Sequence, residues 1–414
     1  MILLPETTFF LKDVQSCDIC TDKEEHSVYF KNIIYPYSEE YDVLVECDYG
    51  KNLGNCWRID SFPDGVNEFE LKISVCAPYG KCVAQGKTTV RFLEKKRGAE
   101  LKLLCIGDSM TFGEEYVEQA AAKAKNIRTI GTRQVKRSVF HEGRGGWCCG
   151  EYLQSSTDTG KGVSPFLFPK SCEAEEYFGD KTFCGRLAAE ETRNGYTYTG
   201  FASEEIKDGM YVYDGERLLR FENGKYVTAE EKPCFEFSFE KYLRRYGIPV
   251  PDVVSLLFGA NEFQLTAYEN AEREVGEYIE NMKKIVAAVR SVCPACAVAV
   301  NLPVTGSEQF AWGMQLGCRG SAKRYEYIIK LAARALLDEF DGRSGEGIYV
   351  CSMLGAIDPE AGYASGTYNA NIYSEKTYVH QTNWVHPNRS GYKQMGDALA
   401  GVLAAVRERK EENA

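Results

Sequence analysis

Leu103-Leu104-Cys105-Ile106-Gly107-Asp108-Ser109-Met110 sets an apolar run directly against a polar turn. Leu103 to Ile106 suit a strand buried on both faces of a parallel sheet. Gly107 then frees the backbone to turn. In open α/β sheets the ligand crevice lies beyond the carboxyl ends of the strands, so a serine here faces the place where substrates bind. That is where a hydrolase mounts a nucleophile. The plainer alternative is that Asp108 or Ser109 only caps the following helix.

Outward from this strand, apolar runs alternate with helical segments from residue 100 onward. Strands are expected at Leu101 to Ile106, Ile127 to Gly131, Val253 to Phe258, Ala297 to Leu302 and Ile348 to Cys351. Helical spacing runs over Tyr268 to Val292, Ser321 to Phe340 and about Ser390 to Arg409. The expected fold class is α/β, a flavodoxin-like parallel sheet with helices on both faces, occupying residues 98–414. Residues 1–97 hold short β-type runs, Tyr41 to Cys47, Phe69 to Val75 and Thr88 to Phe92, and read as a small N-terminal β-sandwich domain. Glu94-Lys95-Lys96-Arg97-Gly98 is the linker between the two. Residues 150–245 interrupt the α/β rhythm with Asp214-Gly215 and Asn223-Gly224, which are hairpin signals. This insertion is either a subdomain beside the functional edge of the sheet or a decoration.

The 414 residues carry a net charge of −11 with no basic stripe, which disfavours nucleic acid as a partner and suits small neutral or cationic substrates. No segment reaches the roughly 20 apolar residues needed to span a bilayer, so no membrane partner is expected. Met1-Ile2-Leu3-Leu4-Pro5 is not a signal peptide. The 16 cysteines are scattered rather than spaced as a framework, and are expected to be reduced thiols in a cytoplasmic setting. Cys17/Cys20 and Cys293/Cys296 have the spacing of zinc ligands but lie far apart in sequence, so neither a metal nor another cofactor is expected. Cys148-Cys149, beside the glycine-rich turn described next, reads as packing or as an oxidation-sensitive pair.

Four segments fall in order at expected strand ends: Gly107-Asp108-Ser109, Glu142-Gly143-Arg144-Gly145-Gly146-Trp147, Gly259-Ala260-Asn261-Glu262 and Asn383-Trp384-Val385-His386-Pro387-Asn388. Acyl transfer needs a nucleophile, a base for its proton and donors aimed at the developing oxyanion. Ser109 is placed to attack and His386 to act as base. The amides of Ser109 and Gly146, with the Asn261 side chain, would hold the oxyanion. Among the 4 histidines, His26 falls in the β region, His141 precedes the glycine turn and His380 sits in a polar, aromatic loop, which leaves His386 with the best context.

This ordered set resembles the SGNH hydrolases, the GDSL esterase and lipase family, over roughly residues 100–408 with the insertion unmatched. By position the resemblance implies Ser109, Gly146, Asn261 and His386 as the residues of the chemistry. Gly145 is the one-residue alternative to Gly146, and Gly146 is preferred because the family often reads Gly-Trp there. Met110 stands where the family usually has leucine and Glu262 where it has aspartate. The main departure is Asn383, at the position of the family's aspartate three residues before the histidine. In serine-protease triads the equivalent change costs about 10⁴ in rate through the wrong tautomer. Either Asn383 presents its carbonyl oxygen to the ring, or a backbone carbonyl supports a Ser-His dyad, or the site is crippled; an acid from the loop before the motif, Asp358 or Glu375, is the further alternative.

Trp147 and Trp384 flank the proposed donors and base, and are expected to border a substrate pocket. An N-terminal β domain before such a hydrolase domain also resembles the layout of some carbohydrate esterases. No apolar lid suggests a lipase. The function expected is therefore a serine esterase acting on short acyl, chiefly acetyl, esters of a small molecule or oligosaccharide. The alternatives are an inactive homologue that binds carbohydrate and a lysophospholipase-like lipid esterase.

Overall fold

The computed structural model describes residues 1–12, 25–62, 65–95, 98–135, 139–154, 163–180 and 206–412. The N-terminal strands are β1 (Thr7–Lys12), β2 (His26–Tyr29), β3 (Asp42–Glu46), β4 (Lys51–Asn52), β5 (Cys56–Ile59), β6 (Glu68–Ala77) and β7 (Lys81–Glu94). They form a sheet in the order β1-β7-β6-β3 and a second in the order β2-β5-β4. Pairing is antiparallel except that β1 runs parallel to β7. Phe10 of β1 stacks on Trp57 of β5 at 6.3 Å, and Trp57 meets Phe69 of β6 edge-on at 6.0 Å, so aromatic rings fill the space between the sheets. One short helix, α1 (Phe30–Ile33), breaks a region in which the sequence shows no helical period.

The quoted stretch is β8 (Leu101–Gly107), followed at once by α2 (Ser109–Phe112) and then α3 (Glu115–Ala124), β9 (Ile127–Ile130), β10 (Glu142–Gly143) and α4 (Cys149–Leu153). The described part of the insertion holds β11 (Leu167–Pro169), β12 (Tyr177–Asp180), β13 (Tyr211–Tyr213), β14 (Leu218–Glu222), β15 (Lys225–Glu230), β16 (Phe235–Phe237) and α5 (Phe239–Tyr246). Both hairpins form. Asn223 and Gly224 take φ of 51° and 76°, as a two-residue type I′ turn requires, whereas Asp214 opens a longer loop in which its carboxylate accepts the Glu216 and Arg217 N–H groups. Phe166 and Tyr242 of this region pack into the main core, their ring centres 4.4 Å apart, so the insertion is built into the fold.

The chain continues through β17 (Val253–Leu257), α6 (Ala260–Phe263), α7 (Ala271–Val292), β18 (Ala297–Asn301), α8 (Gln309–Leu316), α9 (Ala322–Phe340), β19 (Ile348–Cys351), α10 (Met353–Ala356), β20 (Ser365–Asn369), β21 (Thr377–Gln381) and α11 (Arg389–Glu412). β9 and β10 share one edge of β8, and the sheet proceeds β8-β17-β18-β19 with every pairing parallel. This is the flavodoxin-like 2-1-3-4-5 order, whose direction reverses between β8 and β17. Because side chains alternate along a strand, Leu104, Ile106, Val254, Leu256, Val298 and Val300 join α7 and α9 on one face. Leu101, Leu103, Cys105, Val253, Leu257 and Ala299 join α3 and α11 on the other.

The same alternation ties the N-terminal sheets to the rest. Phe10 points between the sheets while Phe9 and Leu11 of β1 enter the core around α11. Lys330, buried on α9, donates to the Lys31 and Ile34 carbonyls at 2.6 and 2.8 Å, and Asn32 donates to the Leu354 and Ile357 carbonyls at 3.0 and 2.7 Å. No helix among the described residues is long and apolar enough to cross a membrane.

Candidate active site

Ser109 is the first residue of α2, one peptide beyond the turn that ends β8. Gly107 is required there by crowding: a Cβ would meet Thr111 Oγ1 at 2.2 Å and the Leu257 carbonyl at 2.4 Å. Asp108 is the N-cap, its carboxylate accepting the Met110 N–H at 2.9 Å. The capping alternative therefore holds for Asp108. Asp108 caps, and that leaves the Ser109 hydroxyl to point elsewhere. Burial pushes the Asp108 carboxyl up to about 7, against the opposing pull of the Met110 and Ala260 N–H groups.

The hydroxyl points at His386. Ser109 Oγ lies 2.7 Å from His386 Nε2 across 277 residues of sequence. His386 sits on the segment between β21 and α11, and burial alone pushes its pKa below 6.5, with no carboxylate raising it. Asn383 does not reach the ring. Its Oδ1 accepts the backbone N–H of His386 at 2.9 Å and of Val385 at 3.3 Å, so it shapes the loop rather than the tautomer. Asp358 is bound to the Tyr29 hydroxyl at 3.2 Å and to its own turn, and Glu375 lies exposed on the β20–β21 connection. Among the described residues, no side chain or carbonyl hydrogen-bonds to His386 Nδ1.

Arg144 to Trp147 make a β-turn closed by the Trp147 N–H on the Arg144 carbonyl at 3.2 Å, with Gly146 at φ 77°. That positive φ favours glycine, while a Cβ at Gly145 or Gly146 would meet nothing within 4 Å. Asn261 opens the helix after β17, on the other side of the switch point, and one of its two Nδ2 hydrogens is donated to the Trp147 carbonyl at 2.9 Å. The second Nδ2 hydrogen remains for a ligand. Trp147 is 4 % exposed, its ring packed edge-on to Tyr152 at 5.1 Å with the Arg144 guanidinium 5.1 Å from its centre, so it backs the turn from the core. Trp384 is half-buried and meets Trp312 edge-on at 4.9 Å.

Two supports escaped the sequence reading. Glu262, taken there only as a conservative replacement, accepts the Cys149 N–H at 2.6 Å and the Gly259 N–H at 3.0 Å, clamping the glycine turn to the end of β17. Glu142, wholly buried, accepts from the Tyr242 hydroxyl at 2.8 Å, the Thr132 N–H at 2.6 Å and Arg144 Nη2 at 3.4 Å. Beside it the Tyr152 hydroxyl lies 2.8 Å from the Gly107 carbonyl and 2.6 Å from that of Glu142, joining the nucleophile strand to the strand of the glycine turn. A buried acid two residues before Arg144 was the available signal. Its partner Tyr242 on α5 lies 100 residues along the chain, beyond the reach of a local motif.

Of the cysteine pairs, Cys17 and Cys20 lie outside the described residues, and Cys296 donates its thiol to the Ala297 carbonyl at 3.2 Å. Among the described residues no cluster of three or more His, Cys, Asp or Glu is placed to hold a metal ion. Cys148 and Cys149 open α4, and Cys149 is buried, which pushes its thiol pKa well up.

No family model and no curated protein matches the chain. Among solved structures it is similar to a possible lipase of Chitinophaga pinensis, at 11 % identity and TM-score 0.35 over 76 % of this chain and 100 % of that one. It is similar also to a family 3 carbohydrate esterase of Talaromyces cellulolyticus, at 13 % identity and TM-score 0.35 over 75 % and 99 % of the two chains. A carbohydrate acetylesterase of Sinorhizobium meliloti, Est24, stands at 13 % and TM-score 0.34 over 75 % and 99 %. The fold assignment rests on the strand order, and the chemistry has to be argued from the side chains.

Proposed function

We propose that this protein is a serine esterase of the SGNH type that hydrolyses short acyl esters, acetyl esters of carbohydrates first, through a Ser109–His386 dyad. The observation that carries the proposal is the 2.7 Å contact between Ser109 Oγ and His386 Nε2 at the switch point of a parallel sheet. His386, kept neutral by burial, takes the Ser109 proton on Nε2 as Oγ bonds to the acyl carbon. The oxyanion is held by the Ser109 and Gly146 N–H groups and the second Nδ2 hydrogen of Asn261. Collapse returns the proton from Nε2 to the departing alcohol oxygen, and water then repeats the sequence on the acyl-enzyme. Trp384 borders the leaving-group side in this scheme, and Trp147 supports the donor turn. No cofactor enters any step, and the scattered cysteines favour a cytoplasmic setting.

Stopped-flow turnover of 4-nitrophenyl acetate, followed by a screen of acetylated oligosaccharides against lysophospholipids, tests this. The expected result is a burst of one 4-nitrophenolate per chain and preference for acetyl esters. Preference for long acyl chains would move the assignment to a lipid esterase. That no described residue hydrogen-bonds His386 Nδ1 favours a second reading, a weakly active or inactive homologue that binds carbohydrate, and this predicts no burst from the folded protein.

A further inference from the structure

The ribbon formed by β20 and β21 is ordered, yet mostly unburied. A two-stranded hairpin in water is marginally stable alone, so one that stands exposed on a protein has to be held at its base and retained for what it displays. The base is held: the Thr382 N–H donates to the Ala364 carbonyl at 2.8 Å, Tyr363 bridges to Pro387, and the Gln381 N–H donates to Glu308 at 2.6 Å. His380 stacks on Phe310 at 4.1 Å and 8°. The base of the ribbon is thus tied to Pro387, next to His386, and to Glu308 and Phe310 at the start of α8. The tip is held too, by the Ala370 N–H on the Lys376 carbonyl at 2.8 Å and the Tyr373 N–H on Asn371 Oδ1 at 2.9 Å. Even so, Tyr373 is 91 % exposed, Ile372 86 %, Val379 71 % and Tyr378 45 %.

What the ribbon displays selects its occupant. The chain as a whole is 26 % charged, but residues 365–381 contain only Glu375 and Lys376 as charged side chains, one of each sign. The exposed tyrosines are interleaved with Thr367, Asn369, Asn371, Ser374 and Thr377. Tyrosine supplies rigid, amphipathic contact area at low entropic cost, and the short hydroxyl and amide side chains supply adaptable hydrogen bonds. A lipid surface or a protein core would call for contiguous apolar residues, whereas here Ile372 and Val379 stand apart among amides and hydroxyls. A ligand that is uncharged, rich in hydroxyls and flat-faced matches the pattern.

Resting on the esterase reading of Ser109, we propose that the β20–β21 ribbon is a docking arm for the sugar chain on the alcohol side of the scissile ester, holding a neutral oligosaccharide against Tyr373 and Tyr378. Neither tyrosine belongs to the catalytic set, so their removal separates docking from chemistry.

The test uses the full chain with Tyr373→Ala and Tyr378→Ala, assayed on 4-nitrophenyl acetate and on acetylated xylo- and manno-oligosaccharides. In parallel, Ser109→Ala and its two tyrosine double variants are titrated by calorimetry with the deacetylated oligosaccharides. Expected are unchanged kcat/KM on 4-nitrophenyl acetate, a loss of about tenfold per tyrosine on the oligosaccharide esters through KM, and matching loss of calorimetric binding. Wild-type KM values in both tyrosine variants would overturn the arm. So would conversion of a dimer to monomers by these changes, seen by light scattering, with sugar binding intact, since the ribbon would then join two copies. If no ester is turned over by any form but tyrosine-dependent sugar binding persists, the catalytic reading fails while the arm stands.

Discussion

Asn383 Oδ1 accepts the backbone N–H of His386 at 2.9 Å and so holds the loop that delivers the imidazole, while among the described residues the ring has no acceptor at Nδ1. The position usually associated with orienting the base is here engaged in positioning its backbone. Asn383→Asp keeps an oxygen for the two amides and adds a negative charge beside the ring. It is expected to raise kcat on 4-nitrophenyl acetate by about tenfold or more, a part of the roughly 10⁴ that a carboxylate contributes in serine-protease triads. Asn383→Ala is expected to lower both activity and stability, the latter by about 1–3 kcal/mol for two N–H groups left without their acceptor. An Asp variant no faster than the parent would show that no carboxylate at 383 can assist the ring.

The pH dependence follows from the same geometry. Burial disfavours the imidazolium and no charge among the described residues offsets it, so His386 titrates below its ordinary 6.5 and is expected to stay a base into mildly acidic solution. The acid limb of kcat/KM should therefore fall below pH 6.5, and Asn383→Asp should move it upward. A limb well above 6.5 in the parent would mean that an anion pairs with the ring.

Asp108 offers a stability test with the opposite sign. Its folded pKa is raised from 3.8 to about 7, so the folded state holds the proton more tightly than the unfolded chain. Its contribution is full below the unfolded value and is lost as pH rises through about 7. Asp108→Asn keeps an oxygen for the Met110 N–H and carries no charge. Thermal melting should show its advantage over the parent growing between those two values and then levelling off, whereas a difference constant with pH would contradict the raised pKa.

Tyr152 and Tyr242 hold the Arg144–Trp147 turn from behind. Tyr242→Phe takes a donor from the buried Glu142 carboxylate, at a cost of about 1–3 kcal/mol. Tyr152→Phe unlinks Gly107 from β10 and should lower kcat on 4-nitrophenyl acetate with little change in KM, because the acetyl group is too small to bind through the turn. Equal loss in KM would assign Tyr152 to substrate binding.

Much of this was legible in the sequence because the decisive signals are local. Leu101 to Ile106, Val253 to Phe258 and Ala297 to Leu302 are mainly apolar runs, each broken by a single polar or charged residue (Lys102, Ser255, Asn301), as strands covered on both faces are, and each forms within a residue of the expected bounds. Ser109 and His386 were chosen from their own turns, and the fold brings them into contact. What stayed hidden is long-range or depends on orientation. Asn383 has an oxygen either way, and only the folded loop shows whether it faces a ring or an amide. Glu142 finds Tyr242 across 100 residues. The loop expected around His380 is instead the β20–β21 ribbon, whose half-buried face is made by Gly366, Tyr368 and His380 against Phe310 and so carries no run of apolar side chains to mark a strand.

The most direct measurement of the central claim is intact-mass analysis of the folded protein after exposure to a fluorophosphonate, with peptide mapping of the modified site. A single adduct on Ser109 is predicted, lost in Ser109→Ala and slowed on the order of 10³-fold or more in His386→Ala, within the range that loss of the base costs related dyads and triads. Absence of the adduct on Ser109 in protein whose circular dichroism shows it to be folded, or labelling that proceeds unchanged without His386, would contradict the account.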